Sequence, residues 1–269
     1  MNLTGICNQV IDIARSAGKF ALNERKVFSF DKVKVKSENN FVSYVDTTCE
    51  RMIVDKLSQI LPKAGFIAEE GTGTPSSDGL NWVVDPLDGT TNFIHGLSPF
   101  AVSIALMEKS ETLLGVVYEP NLDECFWATA DDAAFLNGSK ITVSGIGKVS
   151  DSLVATGFPY YDYSRIKPFF GTMEHFMRHS HGLRRLGSAA TDLVYVACGR
   201  FEAFYEYGLS PWDVAAGAFI VRQAGGTVSD YSGGDNYVFG KEIIASNKKV
   251  YSEFFDVINS FMINLKADR

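Results

Sequence analysis

The chain has 269 residues, of which 46% are hydrophobic and 21% are charged, and this balance excludes a long disordered protein. Its 25 basic and 32 acidic side chains give a formal net charge of −7, which argues against nonspecific binding to nucleic acid. The apolar runs are too short to span a bilayer, and the first residues lack the basic and apolar regions of a secretory signal, so we expect a cytoplasmic protein without a membrane anchor.

The N-terminal part predicts two amphipathic helices. Apolar residues recur at helical spacing over residues 4–24 and again over residues 47–61, where Pro62 acts as a stop. The polar stretch 28–44 between them predicts either a β-hairpin or a mobile loop. Four cysteines lie far apart in the sequence and form no C-x-x-C pair, so we expect reduced thiols rather than a zinc or redox motif.

From residue 65 the pattern changes to short apolar strands separated by turn residues. A buried strand is predicted at 66–68 and another at 81–85. They are followed by successive antiparallel strands at 100–107, 113–118, 124–128 and 134–135.

After about residue 150 strands and helices alternate. The predicted strands lie at 153–156, 201–206, 227–229 and 243–245. The predicted helices lie at 168–179, 188–198, 211–223 and 248–261. No repeat or long linker separates the parts, so we expect one compact α+β unit of mixed and antiparallel sheets layered with helices. Within residues 1–269 we expect two intimate halves, at about 1–150 and about 151–269.

Acidic residues stand at the ends of three of these predicted elements. Glu69-Glu70 directly follows the strand at 66–68. The run DPLDGTTN at 85–92 follows an apolar strand, and Asp213 lies at the start of a predicted helix.

The middle run offers both metal ligands and anion donors. Asp85, Asp88 and the carbonyl of Leu87 supply the oxygen ligands that a hard cation prefers. The N–H groups of Gly89 and Thr90 then point at an anion from a helix start. Carboxylates beside an anion site repel phosphate unless cations intervene, so the run suggests Mg²⁺ that bridges protein carboxylate and substrate phosphate.

Each cluster has a plainer interpretation when it is taken alone. Asp-Gly is a common turn dipeptide, and Glu69-Glu70 could be a solvated loop. Asp213 could be a helix cap beside a packed Trp212. Three acidic groups at separate element ends are, however, what a multi-metal phosphatase site requires.

At these residues the chain resembles the inositol monophosphatase family, which belongs to a magnesium-dependent, lithium-sensitive superfamily of sugar phosphatases. Residues 82–93 (WVVDPLDGTTNF) resemble the first signature of the family, and residues 212–217 (WDVAAG) with 223–226 (QAGG) resemble the second. Glu69-Glu70 falls at the Gly-Glu-Glu position, although Ala68 replaces the usual glycine. The resemblance implies a layered αβαβα sandwich and a homodimer, and it extends over most of the chain.

The resemblance also implies a set of metal ligands. Glu69, Asp85 and the Leu87 carbonyl would hold a first Mg²⁺, and Asp85, Asp88 and Asp213 would hold a second. A third, looser Mg²⁺ would lie near Glu69, mostly through waters.

Further residues are assigned to catalysis on the same ground. Thr90, with Glu69, would orient and deprotonate a metal-activated water that attacks the phosphorus directly. Asp46 aligns with an acidic residue behind the metals, and Lys36 aligns with a lysine on a mobile loop; a solvated loop lysine is the alternative.

The substrate-binding residues implied by the resemblance take the phosphate through backbone N–H groups and the polyol through side chains and a turn. They are Asp88, Gly89, Thr90, Ser188, Ala189 and Glu206. A plain helix cap is the alternative for Ser188, and a surface charge at a strand end is the alternative for Glu206. The four histidines are interpreted as structural or exposed.

The implied function is Mg²⁺-dependent hydrolysis of a phosphate monoester, with inositol monophosphate as the expected substrate because of Glu206 and the compact length. The alternatives within the superfamily are a fructose-1,6-bisphosphatase and a 3′-phosphoadenosine 5′-phosphate phosphatase. A different class is a regulatory protein that uses this fold to contact the transcription machinery. A magnesium-binding structural protein is a further alternative.

Overall fold

The computed structural model describes the backbone of residues 1–29, 33–37 and 40–263, and the side chains of 1–29 and 43–263. Within these ranges, no helix combines the length and the apolar character needed to cross a bilayer. The helices are α1 (Leu3–Arg25), α2 (Tyr44–Ile60), α3 (Thr90–Ile94), α4 (Ile166–His179), α5 (Ala189–Ala197), α6 (Pro211–Gln223) and α7 (Tyr251–Met262).

The strands form a hairpin and two larger sheets. They are β1 (Val33–Ser37), β2 (Asn40–Ser43), β3 (Gly65–Ala68), β4 (Leu80–Asp88), β5 (Ala101–Glu108), β6 (Glu111–Glu119), β7 (Glu124–Thr129), β8 (Ala134–Leu136), β9 (Ser139–Lys140), β10 (Leu153–Thr156), β11 (Gly182–Arg184), β12 (Ala203–Tyr207), β13 (Thr227–Ser229) and β14 (Glu242–Ser246).

The large sheet follows the chain in the order β3-β4-β5-β6-β7-β8-β9. Its first pair is parallel and the others are antiparallel. The smaller sheet has the order β11-β10-β12-β14-β13, in which β10 runs parallel to both of its neighbours and β14 runs antiparallel to both of its own. The hairpin of β1 and β2 is antiparallel.

Successive side chains of a strand point to opposite faces of its sheet, so helices can pack on both faces of each of the two larger sheets. On β4, Trp82 and Val84 face a core shared with α1 and α2, whereas Val83 faces a second core shared with α5 and α6. The smaller sheet covers the other side of α5 and α6 with Ala155 and Phe204, and its opposite face packs on α4 and α7. The order of layers is therefore helix, sheet, helix, sheet, helix, which confirms the expected αβαβα sandwich.

Most predicted elements are confirmed, and the differences have local causes. The stretch after residue 28 contains the hairpin rather than only a loop. Helix α2 begins at Tyr44 rather than at residue 47, because Ser43 and Asp46 form a capping box. The short strands β9 and β11 were not predicted, since two or three residues carry too little apolar pattern to stand out. The division of the chain into two halves, at about 1–150 and about 151–269, stays a prediction, as does the assignment of metal and phosphate binding to the first and of substrate recognition to the second.

Candidate metal centre and substrate cavity

Asp85 lies within the buried part of β4, three residues before the strand ends at Asp88. Its side chain is 2% exposed, and its Oδ1 accepts a hydrogen bond from the Leu87 amide at 2.9 Å. The pairing of β4 with β5 shifts register between Asp85 and Asp88. Such an irregularity re-aims side chains at a strand end, and here both carboxylates reach the same cavity.

Asp88 is held by the start of α5, which lies about a hundred residues further along the chain. Its Oδ2 accepts hydrogen bonds from the Ser188 hydroxyl and from the Ala190 amide, both at 2.7 Å. Ser188 is at the same time the N-cap of α5. This contact joins the end of β4 in the large sheet to the helix layer between the two sheets.

Asp213 is positioned by the first turn of α6. Ser210 and Asp213 form a capping box, and the Ser210 amide donates to Asp213 Oδ2 at 2.6 Å. Pro211 starts the helix, where the missing N–H costs nothing. The carboxylate of Asp213 therefore has a fixed position beside the other two.

The ligand atoms of Asp85, Asp88 and Asp213 all lie within 4.8 Å of one another. Burial is the main reason that the pKa of Asp85 lies well above its ordinary value, and the charges of Glu69, Asp88 and Asp213 add to it. Burial also raises the pKa of Asp88 to about 6, and burial together with the charge of Asp88 raises the pKa of Asp213 to about 7. Carboxylates that repel one another in this way favour a cation between them.

The donor set fits Mg²⁺. Three carboxylates and the nearby Leu87 carbonyl are hard oxygen ligands, which suit this ion. The described residues that line the cavity include neither His nor Cys, which are the side chains that zinc prefers.

Glu69 lies on the wall of the same cavity, directly after β3. It is not part of the group whose atoms lie within 4.8 Å of one another, but its charge raises the pKa of Asp85. The loop that carries Glu69 is fastened by Glu50, whose carboxylate accepts from the amides of Glu70 at 2.7 Å and Thr72 at 2.8 Å. Glu50 is fully buried in α2.

Thr90 is connected to a second buried carboxylate of α2. Its Oγ1 lies 2.9 Å from Asp46 Oδ1 and 3.1 Å from the Leu87 carbonyl oxygen. Asp46 accepts two further hydrogen bonds from Ser43, one from the amide and one from the hydroxyl. Burial raises the pKa of Asp46, and its hydrogen bonds oppose that shift.

Two glycines bring the walls of the cavity together. Gly89 has φ +95°, and a Cβ there would stand 3.1 Å from the Pro99 carbonyl oxygen and 3.2 Å from the Gly187 carbonyl oxygen. Asn92, one turn into α3, donates from its amide group to the Pro99 and Leu186 carbonyls at 2.7 and 2.8 Å. A Cβ at this positive φ would be strained and would crowd both carbonyl oxygens, so the close approach of the two backbones favours glycine.

The far wall contains Ser188, Ala189 and Glu206. Glu206 is the penultimate residue of β12, and its carboxylate packs so closely on Gly157 that a Cβ at Gly157 would stand 2.0 Å from it. Burial raises the pKa of Glu206 well above its ordinary value, and the charges of Asp213 and Asp88 add to the shift.

The cavity between these walls measures about 210 Å³, which is enough for a small phosphorylated molecule. All the predicted metal and substrate residues line it, Thr90 among them. Asp46 lies behind Thr90 rather than in the wall. Lys36 belongs to β1, but its side chain lies outside the described residues.

Sequence reasoning missed three residues that shape this site. Glu50 resembles an ordinary polar position of an amphipathic helix, and only its burial shows otherwise. Arg185 and Tyr160 line the cavity and are hydrogen-bonded to each other at 2.6 Å. They lie 25 positions apart in the chain, so no local motif could have paired them.

Comparison with known proteins agrees with this geometry. Residues 3–259 match the model of the inositol monophosphatase family. An inositol-1-monophosphatase of Mesorhizobium japonicum is 37% identical over 251 residues, which cover 93% of this chain and 94% of the relative.

Two further relatives carry a different name. The Nus factor SuhB of Escherichia coli is 40% identical over 244 residues, covering 90% of this chain and 91% of the relative. The crystal structure of the extragenic suppressor protein suhB from Bartonella henselae is 36% identical, with a TM-score of 0.89, and the match covers 94% of this chain and 98% of that one.

Proposed function

The chain belongs to the inositol monophosphatase family, and on that premise we propose that it is a Mg²⁺-dependent phosphatase that hydrolyses inositol monophosphate to inositol and phosphate. One observation carries the proposal: Asp85, Asp88 and Asp213 converge from two distant parts of the chain at the floor of one cavity. A structural role would not need three closely spaced carboxylates whose charges oppose one another.

The proposed ligands of the metals are those of the sequence prediction. Asp85, Asp88 and Asp213 would hold one Mg²⁺, and Glu69 with Asp85 and the Leu87 carbonyl would hold another; a third would lie near Glu69. Bound Mg²⁺ supplies positive charge for the phosphate and the leaving alcohol, and it makes water a stronger acid.

Thr90, Asp46 and Glu69 would then handle the proton of the attacking water. A hydroxyl has one proton to donate, and that of Thr90 lies within reach of Asp46. Its lone pairs are left for a water in the cavity, which Thr90 would orient toward the phosphorus. Glu69, on the same wall, is the proposed base that accepts the proton.

Backbone and side-chain groups around the cavity would bind the rest of the substrate. The first turn of α3 presents the amides of Gly89 and Thr90, and such amides favour an anion. Ser188, Ala189 and Glu206 lie on the opposite wall, where hydroxyl groups of the sugar would reach them. Asp88 lies between the two sets and would serve both.

The test is a phosphate-release assay on inositol 1-phosphate, fructose 1,6-bisphosphate and adenosine 3′,5′-bisphosphate, with and without Mg²⁺ and with lithium added. We expect Mg²⁺-dependent release that is highest with inositol 1-phosphate and is inhibited by lithium. Asp85→Asn should abolish it, whereas the exposed Asp78→Asn should not. Near-normal turnover by the Asp85 variant would refute the proposed centre.

Direct attack by water makes a second measurable claim. Acid quench of the enzyme during turnover should trap no acyl-phosphate, since no carboxylate is proposed as the nucleophile. A stable phosphorylated Asp would contradict the mechanism while leaving the substrate assignment intact. Sedimentation of the purified protein tests the homodimer that the family resemblance implies.

A regulatory function is the second candidate, and the name of the Escherichia coli relative favours it. The residues of the proposed metal centre are present in this chain, which argues against a purely noncatalytic protein. A regulatory role would therefore be additional to catalysis. Tight binding to purified RNA polymerase by a protein without phosphatase activity would favour the regulatory function.

A further inference from the structure

The wall of the cavity carries a strong excess of negative charge. Five carboxylates line it, and Arg185 is the one cationic side chain among the described residues that do so. The charge of Arg185 acts on Asp88, Glu206 and the buried Asp192, and it lowers the pKa of each against the effect of burial. The guanidinium is therefore the only positive group of the described wall that a substrate can meet.

The position of this guanidinium is fixed from three sides. Its Nη2 donates to the Tyr160 hydroxyl at 2.6 Å, and its central carbon lies 5.1 Å from the centre of the Phe158 ring. A Cβ on Gly187 would stand 2.7 Å from Arg185 Nη1, so the glycine lets the side chain fold back over the turn that leads to Ser188. The guanidinium of Arg185 is thus held beside Ser188 and Ala190, which bind Asp88.

Most of its donors remain for a ligand. A guanidinium has five N–H donors in a planar fork that matches phosphate. One donates to Tyr160, and the N–H of Nε is buried without a hydrogen-bond partner among the described residues, which leaves three N–H groups on the two Nη atoms for a ligand. A substrate whose only phosphate is the one that is cleaved presents hydroxyl groups elsewhere. Such a substrate does not need the planar set of charged donors that a guanidinium offers.

We propose that Arg185 is a specificity-determining residue, which binds a second phosphate on the leaving alcohol of the substrate. The site would therefore also accept bisphosphates, in which one phosphate lies at the carboxylate triad and the other at Arg185. This inference rests on the proposed function and extends its substrate class. The cleaved bond and the products are those of any phosphate monoester hydrolysis.

The alternative is purely structural: Arg185 only offsets the charges of Glu206 and Asp192. Both Asp192 oxygens are buried without a hydrogen-bond partner among the described residues, so this alternative has a physical basis. It makes a different prediction, because loss of a structural cation lowers activity on every substrate in parallel.

The experiment measures kcat/KM of the full chain in Mg²⁺ for inositol 1-phosphate, fructose 1,6-bisphosphate and adenosine 3′,5′-bisphosphate. The specificity ratio is kcat/KM for a bisphosphate divided by that for inositol 1-phosphate. Arg185→Gln should lower this ratio about 10-fold or more, as expected when a hydrogen bond between charged groups is lost. Arg184→Gln, at the exposed neighbouring position, should leave it unchanged. The two bisphosphates show whether the second phosphate is presented on a sugar or on a nucleotide.

Two further variants test the proposal even if Arg185→Gln fails to fold. Arg185→Lys keeps the charge without the fork, and Tyr160→Phe keeps the fork without the hydroxyl that positions it. Both should lower the ratio in the same direction by less than Arg185→Gln.

The outcomes separate the two proposals. A wild-type enzyme that hydrolyses inositol 1-phosphate but neither bisphosphate would overturn this inference alone. So would an unchanged ratio in Arg185→Gln, including a parallel loss on all substrates. No Mg²⁺-dependent release from any of the three would overturn the proposed function, and this inference with it.

Discussion

The hydroxyl of Ser188 lies 2.7 Å from the carboxylate of Asp88, which it reaches across 100 positions of the chain. The same side chain caps α5 by accepting from the Thr191 amide at 3.3 Å. Ser188→Ala should therefore lower the free energy of unfolding by about 1 kcal/mol through the lost cap. It should also raise the Mg²⁺ concentration needed for half-maximal activity, since Asp88 loses a donor. Ser188→Thr keeps the hydroxyl and is the matched control in both melting and Mg²⁺ titration; an equal Mg²⁺ requirement in the alanine variant would contradict the role.

Thr90 provides a test of the proton-handling groups. Thr90→Val is nearly isosteric but removes the hydroxyl that bonds Asp46, so we expect kcat to fall about 100-fold or more. Thr90→Ser retains the hydroxyl and should keep most of the activity. The measurement is kcat at saturating substrate and Mg²⁺. Comparable rates for the valine and serine variants would show that the hydroxyl is not used.

The carboxylate triad should make the metal-free protein less stable as the pH rises. The pKa values of Asp88 and Asp213 are raised to about 6 and about 7, above the value of about 4 that an unfolded chain gives them. Between about pH 4 and about pH 7 the folded state holds protons that the unfolded state has released. The free energy of unfolding therefore falls as the pH rises through this range.

Thermal unfolding in EDTA between pH 5 and pH 8 measures this effect. The Tm of the wild type should fall with rising pH, and Asp213→Asn should give a flatter curve. Added Mg²⁺ should raise the Tm more at pH 8 than at pH 5, because it then competes with fewer protons. Identical slopes for the wild type and the Asp213 variant would count against the repulsion described above.

Glu50 should act on the site through the loop that carries Glu69. In Glu50→Gln, one of the two backbone amides that the carboxylate accepts from would face an NH₂ group instead. We expect a loss of about 1–3 kcal/mol in the free energy of unfolding, as for other buried donors left without a partner. The requirement for Mg²⁺ should rise as well.

The exposed Asp55→Asn on the same helix is the control, and a change within about 0.5 kcal/mol is expected for it. Urea unfolding and Mg²⁺ titration of the two variants measure both effects. A Glu50 variant as stable and as active as the control would remove the residue from the description of the site.

The sequence allowed the fold to be predicted where local pattern and tertiary packing agree. Helix α6 has Pro211 at its start and Gly225 after its end, and both ends lie where these residues place them. The start of α2 was predicted too late, because the Ser43–Asp46 capping box that begins the helix lies before the apolar repeat. The fold also buries Asp46 completely, although it looks like an ordinary polar position of the helix. Burial of a charged side chain is a property of its neighbours, and the sequence of the helix does not contain it.

The carboxylates of the candidate site could be selected from their positions at element ends and from the family signatures. Their mutual arrangement could not, since it depends on a register shift in β4 and on hydrogen bonds from α5. Arg185 illustrates the limit more sharply. Its partners Tyr160 and Phe158 follow a different strand, and only the parallel pairing of β10 with β11 brings the two segments side by side.

The close approach of Gly89 to the Pro99 and Gly187 carbonyls separates two properties of the cavity, namely the spacing at the reacting phosphate and the choice of the alcohol. The absence of a side chain at Gly89 lets the main chain beside the metal floor approach the main chain of the opposite wall. Hydrogen bonds from the side chains of Asn92 and Ser188 hold the two together. Replacements at Tyr161, which also lines the cavity, should therefore change which alcohol is accepted while the spacing at the reacting phosphate is kept. The choice of the alcohol and the geometry at the phosphate are thus under the control of different parts of one cavity.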